Sequence, residues 1–308
     1  MKRLFIIGNG FDLAHRLPTK YLDYRSFLLK DSKNEYFCMR MENTYGLGVN
    51  ADYWWRDFEN SLGEGYIFEA EFDAMAKSAI DDMVTDDGEE MYDIEETLRY
   101  HFKPYYDFMN KLNETVLQWI ESIDISEIEP IFKRITPQNS YYFTFNYTDV
   151  LEDVYNIPEN KVCHIHGSKY EKSVIMGHGN LEVMKKYQKE IDEKEHRLDK
   201  NGAEISRGIY YFYTASFKNT KDIIENNQYV FDQYRGINEV HVFGHSLGEV
   251  DMPYFKEIKN RVLKTADWFF YIFCNINEFS DKKKELHKKI ECLRINRKHI
   301  HVCQSSKF

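Results

Sequence analysis

Leu4-Phe5-Ile6-Ile7 is a short unbroken apolar run that stops at Gly8-Asn9-Gly10, the pattern of a buried parallel strand turning into a helix. Similar runs recur at 141–143, 162–165, 174–176, 240–243 and 268–274, several of them followed by Gly, Asn or a Gly-His pair. Strands that alternate with helical stretches define an α/β fold with a mainly parallel sheet, and such sheets bind ligands beyond the carboxyl ends of their strands. With 308 residues, 43% of them hydrophobic, the chain can bury one large core or two small ones.

Between about 51 and 132 the pattern turns helical. Trp54, Trp55, Phe58 and Leu62, and later Leu98, Phe102, Tyr105, Tyr106, Phe108, Met109, Leu112, Val116, Trp119 and Ile120, fall at threes and fours. Residues 51–132 therefore read as an acidic, aromatic-rich helical insertion into a core made of 1–50 and 133–308, its aromatics suiting either a private core or a binding cleft. The Asp-rich stretch 81–88 reads as a loop between two of its helices, and its spacing does not match a calcium-binding EF-hand. A smaller charged helical insertion lies near 182–200, with Asn201-Gly202 as the turn that ends it.

Residues 51–130 hold 22 Asp/Glu against 5 Lys/Arg within a chain of net charge −10, so the remainder is positive and suits an anionic ligand, while general nucleic-acid affinity is disfavoured. The basic stretch 281–308 reads as a solvated tail region. Five scattered cysteines without a C-x-x-C pair point to reduced thiols rather than a disulfide framework or a zinc module. No apolar run is long enough to span a membrane and no secretory signal opens the chain, so the expected location is the cytoplasm.

Three separated segments suit one another chemically. Strand, Gly8-Asn9-Gly10 and helix are half of a dinucleotide fingerprint, although Leu13 stands where its third glycine belongs. Asp12 suits a helix start by its charge, so a cap explains it equally. Asn146 ends an apolar run, and its carboxamide can hold a ribose hydroxyl and a water together. Thr148 or Asp149 can cap the helix that follows. His164 and His166 share a face if their segment is extended; His166 is then a general base near a strand end, and the pair lacks a third metal ligand, so no metal is expected. Gly244-His245-Ser246-Leu247-Gly248 is a formal G-x-S-x-G, which would make Ser246 a hydrolase nucleophile with Asp251 or Asp267 and His287, His299 or His301 as partners. Those aspartates are poorly placed in sequence for a triad. His299, His301 and Cys303 alternate with apolar residues, as a half-buried final strand does.

Asn9-Gly10-Phe11-Asp12-Leu13-Ala14-His15 with Leu17-Pro18-Thr19, Trp55 with Asp57-Phe58-Glu59, Phe145-Asn146-Tyr147-Thr148, His164-Ile165-His166-Gly167, Gly177-His178-Gly179 and Gly244-His245-Ser246-Leu247 with Asp251 together resemble the AbiH family of bacteriophage abortive infection proteins. Arg16 departs from it, since glycine is usual before Leu-Pro. The same segments are similar to a Rossmann-like, sirtuin-like NAD-binding core, whose G-A-G-x-S-x-x-x-G-[IL]-P falls on Gly8 to Pro18 and whose T-x-N-x-D-x-L falls on Thr144 to Val150. Asn9, Asp12, Arg16 and Thr148 replace Ala, Ser, Gly and Asp of that pattern. The resemblance implies that Asn146 positions the nicotinamide ribose or a water and that His166 is the general base. It implies that Gly244, Ser246 and Asn275 hold the adenosine end, and that Gly8, Asn9, Gly10, Asp12, Pro18, Gly167 and His245 complete the cofactor-binding set. The expected function is a phage-defence effector that hydrolyses NAD to nicotinamide and ADP-ribose; a serine hydrolase using Ser246 and a non-catalytic nucleotide or phage-signal sensor are the alternatives. The expected partners are NAD or a related nucleotide, a phage-derived trigger and a second copy of the chain.

Overall fold

A computed structural model describes residues 2–47, 51–64, 66–81, 100, 103, 107–135 and 138–305. Six parallel strands form the main sheet: β1 (Arg3–Ile7), β2 (Ser140–Thr144), β3 (Val162–His164), β6 (Glu239–Phe243), β7 (Asp267–Phe273) and β8 (Ile300–Ser305). Their order is β3-β2-β1-β6-β7-β8, and a two-stranded hairpin, β4 (Gly167–Ser168) with β5 (Ser173–Val174), stands apart. Counted within the sheet, this is the doubly wound order 3-2-1-4-5-6, with its switch point between β1 and β6.

Both faces of the sheet are apolar, as parallel strands require. On one face Leu4, Ile6, Phe143, Val240, Val242, Trp268 and Phe270 pack with Phe231, Tyr234, Tyr254, Phe255, Ile258 and Ile290. The other face carries an aromatic ladder that runs across five strands in register: Tyr142, Phe5, His241, Phe269 and His301, with successive ring centroids 5.1, 5.0, 4.8 and 4.6 Å apart. His301 thus ends the ring stack half-buried, as a half-buried final strand anticipated.

The run 174–176 departs from expectation, because Val174 lies in the hairpin rather than in the parallel sheet. Gly167 makes that hairpin possible: its φ is +81° and a Cβ there would meet the Ser173 carbonyl oxygen at 2.1 Å. Asn201-Gly202 also differs from the turn expected. The helix Leu181–His196 stops at Leu198, whose φ is positive, and Gly202 lies in the first turn of the next helix, Lys200–Ala215, where its N–H donates to the capping Asp199 carboxylate at 2.9 Å.

The chain divides into two compact units, 1–20 with 117–175 and 219–308, and 21–116 with 176–218. The first contains the parallel sheet. The second is helical and joins 21–116 to 176–218, while 117–132 belongs to the first. In the second unit Trp55 and Phe58 stack at 4.9 Å, and Trp54, Trp55, Phe58 and Leu62 are buried. Within it Glu59 pairs with the buried Lys218 and accepts from the Tyr21 hydroxyl at 2.5 Å. The 81–88 loop, apart from Asp81, and Leu98, Phe102, Tyr105 and Tyr106 fall outside the described residues. Among the described residues no helix is long and apolar enough to cross a membrane.

Candidate functional site

The carboxyl ends of β1, β2, β3 and β6 deliver the motif residues to one edge of the sheet. After β1, the N–H groups of Gly8 and Gly10 donate to the carbonyls of Phe243 and Gly244 at 2.9 and 2.8 Å. A Cβ on Gly8 would lie 2.7 Å from the His245 Cα, and one on Gly10 would lie 2.6 Å from the Gly244 Cα. The glycines therefore let the β1 and β6 loops pack backbone against backbone at the switch point. The exposed Asn9 donates its amide to the Thr19 carbonyl at 2.6 Å, which closes the loop that carries the exposed Pro18.

Arg16 lies within that loop at φ +65°, so the position where the family resemblance expects glycine does adopt a glycine conformation. An exposed side chain held there costs energy, and among the described residues no hydrogen bond or ion pair of the Arg16 side chain offsets it. Arg16→Gly is expected to raise stability by about 0.5–1 kcal/mol, read as a higher urea midpoint at unchanged m-value. An unchanged or lowered midpoint would show that the arginine side chain makes a stabilising interaction.

His15, from the same motif, is structural. Its Nδ1–H donates to the Phe11 carbonyl and its Nε2 accepts from the Tyr155 hydroxyl, both at 2.8 Å, while Tyr155 accepts from the Ile131 and Phe132 N–H groups. Burial holds it below the ordinary imidazole range, so it is a neutral spacer. His178, in the helical unit, plays a similar part between the Tyr213 carbonyl and the Asn180 N–H, and burial pushes it down to about 4.

Around the β2 end, polar groups outnumber their partners. Thr148 donates its hydroxyl to Asp12 Oδ2 at 2.7 Å, and Asp12 is 1% exposed with Oδ1 left without a hydrogen bond. Burial pushes this carboxyl up to about 7, with the Thr148 hydrogen bond opposing the shift. The Asn146 N–H donates to Thr144 Oγ1 at 3.0 Å, yet neither atom of its buried carboxamide completes a hydrogen bond. That amide is close enough to favour ionised Asp12 without reaching hydrogen-bond geometry. Asp149 occupies the N-cap position of the helix Val150–Asp153 but does not cap it, and both of its buried oxygens lack partners.

The two histidines expected on one face of β3 part company. β3 ends at His164, whose Nδ1–H donates to the Asn146 carbonyl at 2.9 Å and whose Nε2 lies 2.9 Å from Glu152 Oε1. Burial lowers the proton affinity of His164, but the hydrogen bond and charge of Glu152 raise it by more, leaving it above the ordinary value. His166, past the strand end, instead has Nε2 3.3 Å from the Tyr254 hydroxyl and 4.0 Å from Asp251. Asp251 also lies 3.2 Å from His245 Nε2, and the Leu247 N–H donates to His245 Nδ1. Phe145 lies between the two imidazoles, its ring 5.4 Å from His166 and 4.3 Å from His245.

Sequence reasoning missed the partners of these groups. Glu152 follows Asp149 by one short turn, an i,i+3 spacing that could have signalled a shared side. Ser246 is exposed, with its carbonyl accepting from Lys289 at 3.0 Å. Its proposed triad partners are engaged elsewhere: Asp251 with His245, and Asp267, at the opposite end of the sheet, with His299 and His301 at 3.0 and 3.1 Å. Asn275 is exposed beyond the end of β7.

The sequence model of the bacteriophage abortive infection AbiH family matches residues 4–272. The chain belongs to the AbiH family. That membership supports a role in phage abortive infection. No curated protein and no solved structure matches the chain significantly. The match spans the parallel sheet from β1 through most of β7, so the strand-end residues described above, apart from Asn275, lie within it.

Proposed function

We propose that this AbiH protein binds NAD over the carboxyl ends of β1, β2, β3 and β6 and hydrolyses its nicotinamide-ribose bond. The observation that carries the reading is the Asn146 carboxamide, buried at a strand end beside the switch point with donor and acceptor both unsatisfied. A buried amide without partners is costly unless a ligand supplies them, and a ribose hydroxyl with a water matches its two functions. The sirtuin-like reading gains support from Asp12 and Thr148. They replace Ser and Asp of that pattern, and they are hydrogen-bonded to each other, so a hydroxyl-carboxyl pair persists with its two ends exchanged.

In the reaction His166 takes a proton from water, the water oxygen bonds to C1′ of the ribose, and the C1′–N bond breaks with its electrons going to nicotinamide. Positively charged nicotinamide leaves as a neutral base, so no acid need protonate it. Asp251, 4.0 Å from His166 Nε2, is placed to stabilise the imidazolium that forms. Ser246, Gly244, His245 and Asn275 border the adenosine side of the same edge, and Gly8, Asn9, Gly10, Pro18 and Gly167 shape the loops around it.

Nicotinamide release from NAD by the purified chain tests the proposal. Asn146→Ala is expected to lower the rate about 10²-fold by freeing the ribose and water, whereas Ser246→Ala should retain most of it. Absence of turnover with nucleotide bound would favour a sensor, and fluorophosphonate labelling of Ser246 without nicotinamide release would favour a hydrolase.

A further inference from the structure

We infer that Asp149, Glu152 and His164 form a binding site for one divalent transition-metal cation. One ligand atom from each lies within 4.8 Å of the others, beneath the β2 and β3 ends. The site is distinct from the His166 and Asp251 group and does not depend on NAD being the substrate.

Three features point to a cation. First, His164 donates Nδ1–H to the Asn146 carbonyl, an arrangement that fixes the tautomer and turns the Nε2 lone pair toward Glu152. With a carboxylate oxygen at 2.9 Å, that nitrogen needs a positive centre, which a bound cation or a proton on Nε2 supplies. Second, Asp149 is 1% exposed and both its oxygens lack hydrogen bonds, although its N-cap position offers backbone N–H groups that it does not use. Glu152 Oε2 is likewise buried without a partner. Third, neutral imidazole with two carboxylates carries two negative charges, which a divalent ion balances; Lys169, in the surroundings of Asp149, makes no hydrogen bond to it.

The spacing agrees. Ligands about 2.1 Å from a metal stand about 3 Å apart at right angles and about 3.4 Å apart at the tetrahedral angle, so the 2.9 Å between His164 Nε2 and Glu152 Oε1 is nearer the octahedral spacing. Mixed imidazole and carboxylate donors suit Zn²⁺ or Mn²⁺ better than Ca²⁺. Bound there, the ion would tie the loop of Asn146 to the helix Val150–Asp153 through the His164 ring.

The test uses the full chain freed of metal with a chelator, titrated calorimetrically with MnCl₂ and ZnCl₂. One ion per chain is expected, with a higher melting temperature and, for Mn²⁺, imidazole nitrogen modulation in the pulsed electron paramagnetic resonance signal. Asp149→Asn and Glu152→Gln should each weaken binding about 10-fold or more. Asp149→Asn removes a buried unpaired charge, so it should fold at least as well as the parent without metal, and its loss of binding cannot be ascribed to unfolding. Absence of binding by the parent, or equal binding by both variants, would overturn the inference and leave a proton on His164 as the positive centre.

Discussion

Replacing His166 with alanine is expected to reduce nicotinamide release by about 10²–10⁴-fold, the usual contribution of a positioned general base. The ring is 3% exposed, held between Phe145 and Tyr254, with Asp251 behind it. Removing it leaves the β1 and β6 loops in place, since the Gly8 and Gly10 N–H groups donate to the Phe243 and Gly244 carbonyls. The loss should therefore fall on kcat rather than on KM, and nucleotide binding should persist. His166→Gln controls for the volume lost in the core and should be equally inactive. A parallel fall in melting temperature and nucleotide affinity, with kcat preserved in the folded fraction, would make His166 a packing residue.

The second large effect concerns Asp12 and is a matter of stability. Its carboxyl stands at about 7 in the folded protein against an ordinary value of 3.8. Through that interval the native state keeps the proton while the unfolded chain has lost it. The contribution of Asp12 is thus fully present below the ordinary value and is lost as pH rises toward and through about 7. Each unit of difference is worth about 1.4 kcal/mol, so the penalty at pH 8 is on the order of a few kcal/mol. The groups facing this carboxyl are Thr148, Asn146, His164 and Asp149. Asp12→Asn keeps an oxygen for the Thr148 hydroxyl and removes the titration. In chelator, it should gain a few kcal/mol over the parent at pH 8 and almost nothing at pH 4, measured by urea unfolding. A constant difference across that range would show that burial does not hold the proton on Asp12.

Such a destabilising acid fits a functional edge better than a structural one. Ordinary cores avoid unsatisfied carboxyl oxygens, and here Asp12 keeps one and Asp149 both, each residue 1% exposed. Asp149 is also pushed up, to about 6, by burial first and with His164 opposing. Both sit where a doubly wound sheet receives its ligand.

Much of the sheet was legible because continuous apolar runs ending in Gly or Asn have few other uses. The runs at 4–7, 141–143, 162–165, 240–243 and 268–274 all contribute to parallel strands, and His299-Ile300-His301 announced the sixth. The run 174–176 misled because Gly167 folds it back on a neighbour only a few residues away, a long-range consequence of one positive φ. Asn201-Gly202 carried a turn signature that Asp199 overrode by capping the next helix. At the site, the residue types were visible but their directions were not. Whether His164 and His166 share a face depends on where β3 ends, and it ends between them. The pairing of Asp12 with Thr148 joins segments 136 positions apart, which no local pattern reveals.

A crystal structure of the full chain with ADP-ribose tests the central claim most directly. The account predicts a ribose hydroxyl or an ordered water within hydrogen-bond reach of the Asn146 carboxamide, with His166 bordering C1′ and the adenosine toward Gly244 and Ser246. ADP-ribose bound away from the strand ends, or seated there with the Asn146 amide still unpartnered, would contradict it.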